Sequence, residues 1–425
     1  MNVLIIGSGG REHALCHAIA KSPRLKRLFV MPGNAGTEAL AINVPGDAST
    51  PAGIKTAIDL ARREAIDLTI VGPEDPLAAG FVDAFTAAGL RVFGPTAIAA
   101  RLESDKAFAK QLMRQHAVPT AEARIFTDIE AAREYITTRD EALVVKAAGL
   151  AKGKGVIVCR DPAEALIAAE KMLKGGLFGD AGKRILVEET LTGPEVSVLA
   201  VVDGATLYML ESAQDHKRLL DGDAGPNTGG MGAFSPAPRI TDELLRQVES
   251  QILVPTLDAL IREGIHYRGV LYAGLMLTAA GPKVLEFNCR FGDPEAQAIL
   301  MRLRSDPLDL FEAACDGSLD QVTVAWDPRP SLCVVMAAEG YPDAVKTGAG
   351  ITGLPDLPLT GDCAVFHSGT RRAGGAIVSA GGRVLAATAL GSDIAAARSA
   401  AYGLIERIRF DGAHYRKDIG LVHAG

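Results

Sequence analysis

Residues 1–100 alternate short apolar runs with helical stretches, and glycine or proline cuts off each run. Residues 3–6 (VLII) stop at Gly7, residues 68–71 (LTIV) at Gly72-Pro73, and residues 91–93 (RVF) at Gly94-Pro95. A further run, residues 28–31, leads into the turn cluster Pro32-Gly33-Asn34-Ala35-Gly36. Residues 11–21 carry Ala14, Leu15, Ala18 and Ile19 at helical spacing. This order predicts a doubly wound parallel sheet with helices on both faces. Ligands in such sheets bind beyond the C-terminal strand ends, which here are residues 7–10, 32–36 and 72–75.

The chain has 425 residues, too many for one ordinary core, so further domains are expected. The boundaries fall at residues 1–104, 105–330 and 331–425. Residues 106–118 read as a helix. Residues 143–147 and 156–159 read as a hairpin around a glycine-rich loop, followed by a helix at 161–173 and a strand at 184–188. They form a small α+β unit within residues 122–193. Strands at 195–202 and 206–214 look antiparallel, and 271–278 with 283–288 form another hairpin. The loop at 221–235 is long and glycine-rich, a combination that is usually functional. The last part reads as Ala/Gly/Val-rich strands with a helix near 392–407, a small α+β domain with no evident chemistry of its own.

The net charge of −7 argues against nucleic acid as the main partner. Six scattered cysteines with no C-x-x-C pair require no disulfide framework, which suits a reducing compartment. The N-terminal apolar run is too short for a secretory signal, and no stretch nears the roughly 18 apolar residues of a spanning helix. A cytoplasmic protein is expected.

Gly7-Ser8-Gly9-Gly10 lies between a strand and a helix. It departs from a dinucleotide fingerprint, because Glu12 holds the third glycine position and no acidic residue ends the second strand. The readings left open are a phosphate site at a helix N-terminus and a simple tight turn. A dehydrogenase is correspondingly disfavoured. Lys146 through Gly155 (KAAGLAKGKG) joins two strands, so it is not a Walker loop. Glycines that admit a phosphate and lysines that neutralise it suit a flap over a nucleotide, with a plain surface loop as the alternative. Glu188-Glu189 is either an edge pair or part of a nucleotide site. Gln214-Asp215-His216-Lys217-Arg218 is either a solvated charge run or the receptor of a small charged substrate. Glu286-x-Asn288 ends an apolar strand, where residues i and i+2 share a face. Two oxygen side chains there suit Mg²⁺, which takes one or two protein oxygens plus substrate phosphates. Leu285 and Phe287 should then face the core. Arg290, Asp293 and Glu295 follow at once, a dense charged cluster that is costly without partners.

The octapeptide at residues 290–297 (RFGDPEAQ) resembles the signature of the phosphoribosylamine–glycine ligase (glycinamide ribonucleotide synthetase) family. GSGGREHA at 7–14, PGNAGT at 32–37, VGPE at 71–74, QDHKR at 214–218, GPNTGGMGA at 225–233 and RKDIG at 416–420 resemble it too, in order, along essentially the whole chain. Ala148, Lys152 and Ser8 depart from the usual pattern. The octapeptide argues against another ligase of the same superfamily.

The resemblance implies an ATP-grasp fold: a Rossmann-like (pre-ATP-grasp) domain, a two-part ATP-grasp domain whose flap is residues 122–193, and a small C-terminal domain. It implies ligation of glycine to 5-phosphoribosylamine with ATP and Mg²⁺ (or Mn²⁺), through glycyl phosphate, in purine biosynthesis. Lys106, Lys146, Gly153, Lys154, Gly155, Glu188, Glu189 and Glu195 would bind ATP, and Glu286 and Asn288 the metal. Arg290, Asp293, Asp215 and Lys217 would be catalytic, with Arg290 gripping the glycine carboxylate. Gly9, Gly10 and Asn34 would take the ribose phosphate, and Gly292 and Glu295 would complete the substrate site. The implied partners are small molecules, with no nucleic acid or membrane, and a monomer is expected.

Overall fold

The computed structural model describes residues 1–151, 154–355 and 361–421. Its first unit is a parallel sheet of β1 (Asn2–Gly7), β2 (Arg27–Pro32), β3 (Ile42–Asn43), β4 (Leu68–Val71) and β5 (Val92–Phe93), in the order β3-β2-β1-β4-β5. Both faces are covered, which explains why β1 is apolar throughout and not alternating. Leu4 and Ile6 enter one core, and Val3 and Ile5 the other.

The flap is an antiparallel sheet of Ala123–Phe126, Ile185–Glu189, Leu143–Ala147 and Val156–Val158, with its own core under helices Ile129–Thr137 and Pro162–Leu173. Asp128 and Asp161 cap these helices by accepting from the Ala131 and Glu164 amides. A second antiparallel sheet orders Leu207–Met209, Glu195–Val202, Gly269–Thr278 and Gly281–Asn288.

The third large sheet corrects the sequence reading. Its order is Gln214–Asp215, Gly232–Ser235, Ser331–Ala337, Arg383–Leu390 and Cys363–His367. The expected single strand at 206–214 therefore breaks: Leu207–Met209 stays in the second sheet while Gln214–Asp215 crosses to the third. The loop expected at 221–235 contains strand Ala224–Asn227, paired with Arg218–Leu220, and strand Gly232–Ser235, paired with Ser331–Ala337. The C-terminal domain thus carries the segment that bears Asp215 and Lys217. Helix Glu295–Arg302, buried along its whole length, packs between this sheet and helix α1 (Gly10–Ile19). Among the described residues no helix is long and apolar enough to cross a membrane.

Two features seat β1 and α1. The first is Glu12. Its carboxylate accepts from the Gly9 amide at 2.5 Å and from Arg11 Nε at 2.5 Å, folding back under the strand ends. Glycines clear the space it fills. A Cβ on Gly7 would lie 2.6 Å from Glu12 Cδ, and one on Gly72 2.1 Å from Glu12 Oε1. Gly7 also has φ +126°, which favours glycine. The second is a histidine seam against the C-terminal domain. His13 and His17 of α1 each sit 5.6 Å from the Phe366 ring, and the His367 amide donates to His13 Nδ1 at 2.8 Å. That bond requires an unprotonated Nδ1. Burial holds His13 well below the usual histidine range and brings His17 and His367 down to about 4.

Replacing Gly72 by Ala should cost about 1–3 kcal/mol, read as a lowered denaturant midpoint. The cost should shrink in a Glu12→Ala background, and an equal cost in both backgrounds would contradict the packing account. The histidine seam predicts acid sensitivity. Folded-state values lie below the unfolded value of about 6.5, so its stability is intact above that pH and is lost as pH falls from there through about 4. Each of His17 and His367 should contribute on the order of 2–3 kcal/mol over that window. Denaturation midpoints measured across it should fall, and less steeply for His17→Phe; identical slopes would rule His17 out.

Candidate active site

The C-terminal ends of β1, β2 and β4, the flap, the end of strand Gly281–Asn288 and the C-terminal domain together line a cavity of about 1360 Å³. At one end Lys146, the penultimate residue of strand Leu143–Ala147, lies 2.8 Å from Glu188 Oε2 and donates to Leu285 O at 3.0 Å. Glu188 Oε1 is 3.1 Å from Lys110 Nζ. All three side chains are at most 7% exposed, so one carboxylate holds two lysines in low dielectric. Lys106, one helical turn before Lys110, donates to Gly149 O at 3.3 Å. Burial draws Lys106 below the usual lysine range although Glu286 pulls the other way. Glu189 pairs with Lys283 at 3.0 Å. Gly155 lines the same wall, while Lys154 donates instead to Pro342 O at 2.5 Å in the C-terminal domain. Lys152 and Gly153 lie outside the described residues.

Glu286 and Asn288 share the cavity face, as spacing predicted. The strand is irregular just before them. Glu286 pairs with Gly274 but Val284 with Leu275, so Leu285 is the extra residue of a β-bulge. Leu285 consequently lines the cavity and Val284 takes the core position, correcting the expectation that Leu285 faces the core. Burial raises the Glu286 carboxyl, but Lys217, Lys106 and Lys146 outweigh it and hold it down at about 2. Lys217 Nζ bridges Glu195 Oε2 at 3.2 Å and Glu286 Oε1 at 3.4 Å. Burial opposes its charge, yet these carboxylates keep it well above the lysine range. Among the described residues no cluster of three or more His, Cys, Asp or Glu is arranged to hold a metal by itself. The donors of Glu286 and Asn288 still fit a cation that takes part of its shell from phosphates.

Arg290 is committed elsewhere. Its Nε donates to Glu74 Oε2 at 3.2 Å, Nη2 lies 2.8 Å from Glu103 Oε1 and donates to Asn288 Oδ1 at 3.2 Å, and Nη1 donates to Phe291 O at 3.1 Å. A guanidinium so occupied orients Asn288 and does not present the open fork that gripping a carboxylate requires. Asp293 accepts from Gln297 Nε2 at 2.8 Å and lies 3.5 Å from Arg383 Nη2. Burial raises it, and Arg383 and Arg11 bring it below the usual range. Glu295 Oε1 accepts from Tyr272 OH at 2.5 Å. A Cβ on Gly292 would lie 2.3 Å from Glu295 Oε2, so Gly292 makes room for Glu295 and does not itself line the cavity. Asp215 Oδ1 is buried with no hydrogen-bond partner among the described residues. Burial and then the Glu295 charge push Asp215 well above the carboxylate range.

The phosphate reading of the first loop is corrected in part. Gly9 lines the cavity, but its amide is taken by Glu12. Gly10 packs behind the wall, where a Cβ would lie 2.4 Å from Gln297 Nε2. Asn34 is also off the cavity. Its Nδ2 donates to Ser8 O at 2.9 Å and His367 O at 2.8 Å, and its Oδ1 accepts from the Gly36 and Thr37 amides. Four internal bonds exhaust that amide.

Lys110, Glu103 and Arg383 line the cavity with no expectation attached to them, and Glu74 and Arg416 were expected only as parts of the motifs VGPE and RKDIG, without a role. Lys110 had a signal: it repeats Lys106 at i+4 on a helix whose other face is apolar. Arg383, at the head of an otherwise apolar strand in a domain read as lacking chemistry, had only its isolation.

Comparison with known proteins identifies the family. Family models match in three blocks: phosphoribosylglycinamide synthetase N domain at 1–103, its ATP-grasp (A) domain at 104–296 and its C domain at 331–422. A relative from Allochromatium vinosum named phosphoribosylamine–glycine ligase is 53% identical over 99% of this chain and 98% of its own. One of the same name from Salmonella typhimurium is 52% identical at the same coverage. The crystal structure of phosphoribosylamine–glycine ligase from Thermotoga maritima superposes with a TM-score of 0.86 at 35% identity, covering 99% of this chain and 100% of that one. A biotin carboxylase–β,γ-ATP complex from Campylobacter jejuni shares the fold alone, with a TM-score of 0.74 at 17% identity over 99% of this chain and 94% of that one. Three domains in order, a carboxylate–lysine cavity between them and identity above half along the chain place this protein in the phosphoribosylglycinamide synthetase family of ATP-grasp ligases.

Proposed function

We propose that this ligase joins glycine to 5-phosphoribosylamine with ATP, releasing glycinamide ribonucleotide, ADP and phosphate. The observation that carries this reading is the match to ligases of that name over essentially their whole length, 98% for the Allochromatium vinosum relative. A carboxylate must be activated before an amine can displace one of its oxygens. A glycine carboxylate oxygen attacks the γ-phosphorus, ADP leaves, and glycyl phosphate forms. The amine nitrogen then attacks the acyl carbon, loses a proton, and expels phosphate with one former carboxylate oxygen.

In this reading catalysis is positioning plus neutralisation of charge. Lys106 and Lys146 meet the phosphates of ATP, and the flap, tied to the C-terminal domain through Lys154 and Pro342 O, excludes water from the acyl phosphate. Glu188, Glu189 and Glu195 line the linker from flap to second sheet at the nucleotide end. Glu286 and Asn288 would hold Mg²⁺ (or Mn²⁺), which when bound neutralises the phosphate oxygens. Asp215 supplies an unpartnered acceptor beside Glu295, suited to an ammonium group, and Lys217 keeps Glu286 ionised. Arg290 acts through Asn288. Gly9, Asp293 and Glu295 form the acceptor side, with Gly10, Gly292 and Asn34 supporting its wall.

Phosphate release should require ATP, glycine and freshly made phosphoribosylamine together. Full release with any one omitted would refute the assignment. Replacing Glu286 by Gln should raise the Mg²⁺ concentration for half-maximal rate about tenfold or more, since one of two protein donors loses its charge. An unchanged Mg²⁺ titration would remove Glu286 from the metal site.

A further inference from the structure

Arg383 heads the strand Arg383–Leu390 and brings the C-terminal domain to the cavity wall. Its guanidinium is used from one side. Nη1 donates to Gly229 O at 2.5 Å, to Gly230 O at 3.5 Å and to Asp293 O. These acceptors join the glycine-rich loop to the signature turn across a domain boundary. On the other side, Nη2 stands 3.5 Å from Asp293 Oδ2, and among the described residues no hydrogen bond leaves Nη2 or Nε. The side chain is 20% exposed.

Three other arginines on this wall differ. Arg290 is directed at Glu74, Glu103 and Asn288. Arg416 holds Asp418 through both Nε and Nη2, at 2.7 Å each, and Asp223 through Nη1. Arg11 gives Nε to Glu12 and Nη1 to Phe291 O. Of the arginines that line the cavity, Arg383, Arg218 and the exposed Arg239 have an Nε–Nη2 edge without a hydrogen bond among the described residues, and of these Arg383 is the one that stands beside Asp293; that edge is the fork that meets carboxylate or phosphate oxygens in pairs. Asp215, Asp293 and Glu295 crowd the same end of the cavity. An anionic substrate entering there needs a cation with donors to spare.

We infer that Arg383 is a substrate-binding residue: its Nε–Nη2 edge receives an oxyanion of a substrate, glycine carboxylate or the phosphate of phosphoribosylamine, while Nη1 sets the loop at Gly229-Gly230 against Asp293. The inference rests on the proposed reaction for the names of the two oxyanions, and on the geometry for the site. Arg383→Lys keeps the charge and removes the fork. Its steady-state constants should show a KM raised about tenfold or more for one of the two anionic substrates, with the KM for ATP within about twofold of wild type. The substrate affected identifies the oxyanion. Binding read without turnover separates this inference from the proposed reaction. Glycine or ribose 5-phosphate should raise the melting temperature of the wild-type protein, and the same ligand should fail to raise that of Arg383→Lys. Added ethylguanidinium should restore part of the rate of Arg383→Ala. Unchanged KM values for both anionic substrates with a lowered kcat, or equal thermal shifts in both proteins, would overturn the assignment and leave Arg383 a link between loops.

Discussion

The buried cation of Arg290 ties the molecule together. Glu74 belongs to the first domain, Glu103 to the short helix leading out of it, and Asn288 to the cavity-facing end of strand Gly281–Asn288; one guanidinium holds all three. Burial opposes the charge on Glu74, yet Arg290 and Arg11 bring its carboxyl down to about 2. Burial pushes Glu103 up, and Arg290 offsets only part of that. Removing one partner from such a cluster leaves uncompensated buried charge, typically about 3–5 kcal/mol. The remaining carboxylates would then repel each other across the joint between domains. The position of Asn288, and with it the strand end that carries Glu286, depends on that cluster.

Around this joint each domain contributes by a different device. The first domain offers strand ends whose loop is already filled by Glu12, so it walls the cavity and has no vacant pyrophosphate cradle. The flap brings Lys146, balanced against Glu188 and Lys110. The C-terminal domain holds the glycine-rich segment 221–235 through its sheet and through Arg416, which pins Asp223 and Asp418. A domain without evident chemistry in its sequence is therefore the frame for Asp215 and Lys217.

What could be read from the residues follows from range. β1 and β4 are continuous apolar runs cut by glycine, and the period of two put Glu286 and Asn288 on one face; both facts are local. The bulge at Leu285 is set by the partner strand, which the run Leu285–Asn288 alone does not encode. Strand Gly232–Ser235 pairs with Ser331–Ala337, a partner about a hundred residues away, and its glycine-rich flank reads locally as loop. Arg290 was legible as a charged residue in need of partners, but those partners are far off in sequence. Without Glu74 and Glu103 in view, a grip on substrate was the natural reading. Asn34 was misplaced for a similar reason: a turn asparagine can serve a ligand or its own backbone, and only the His367 carbonyl across the domain seam decides.

In the proposed reaction the glycine carboxylate is phosphorylated, and its acyl group then passes to the amine. Turnover with glycine labelled by ¹⁸O in its carboxylate tests this most directly, with the released phosphate analysed by mass spectrometry. Each phosphate formed should carry one ¹⁸O. Phosphate free of ¹⁸O, with ligation intact, would contradict it.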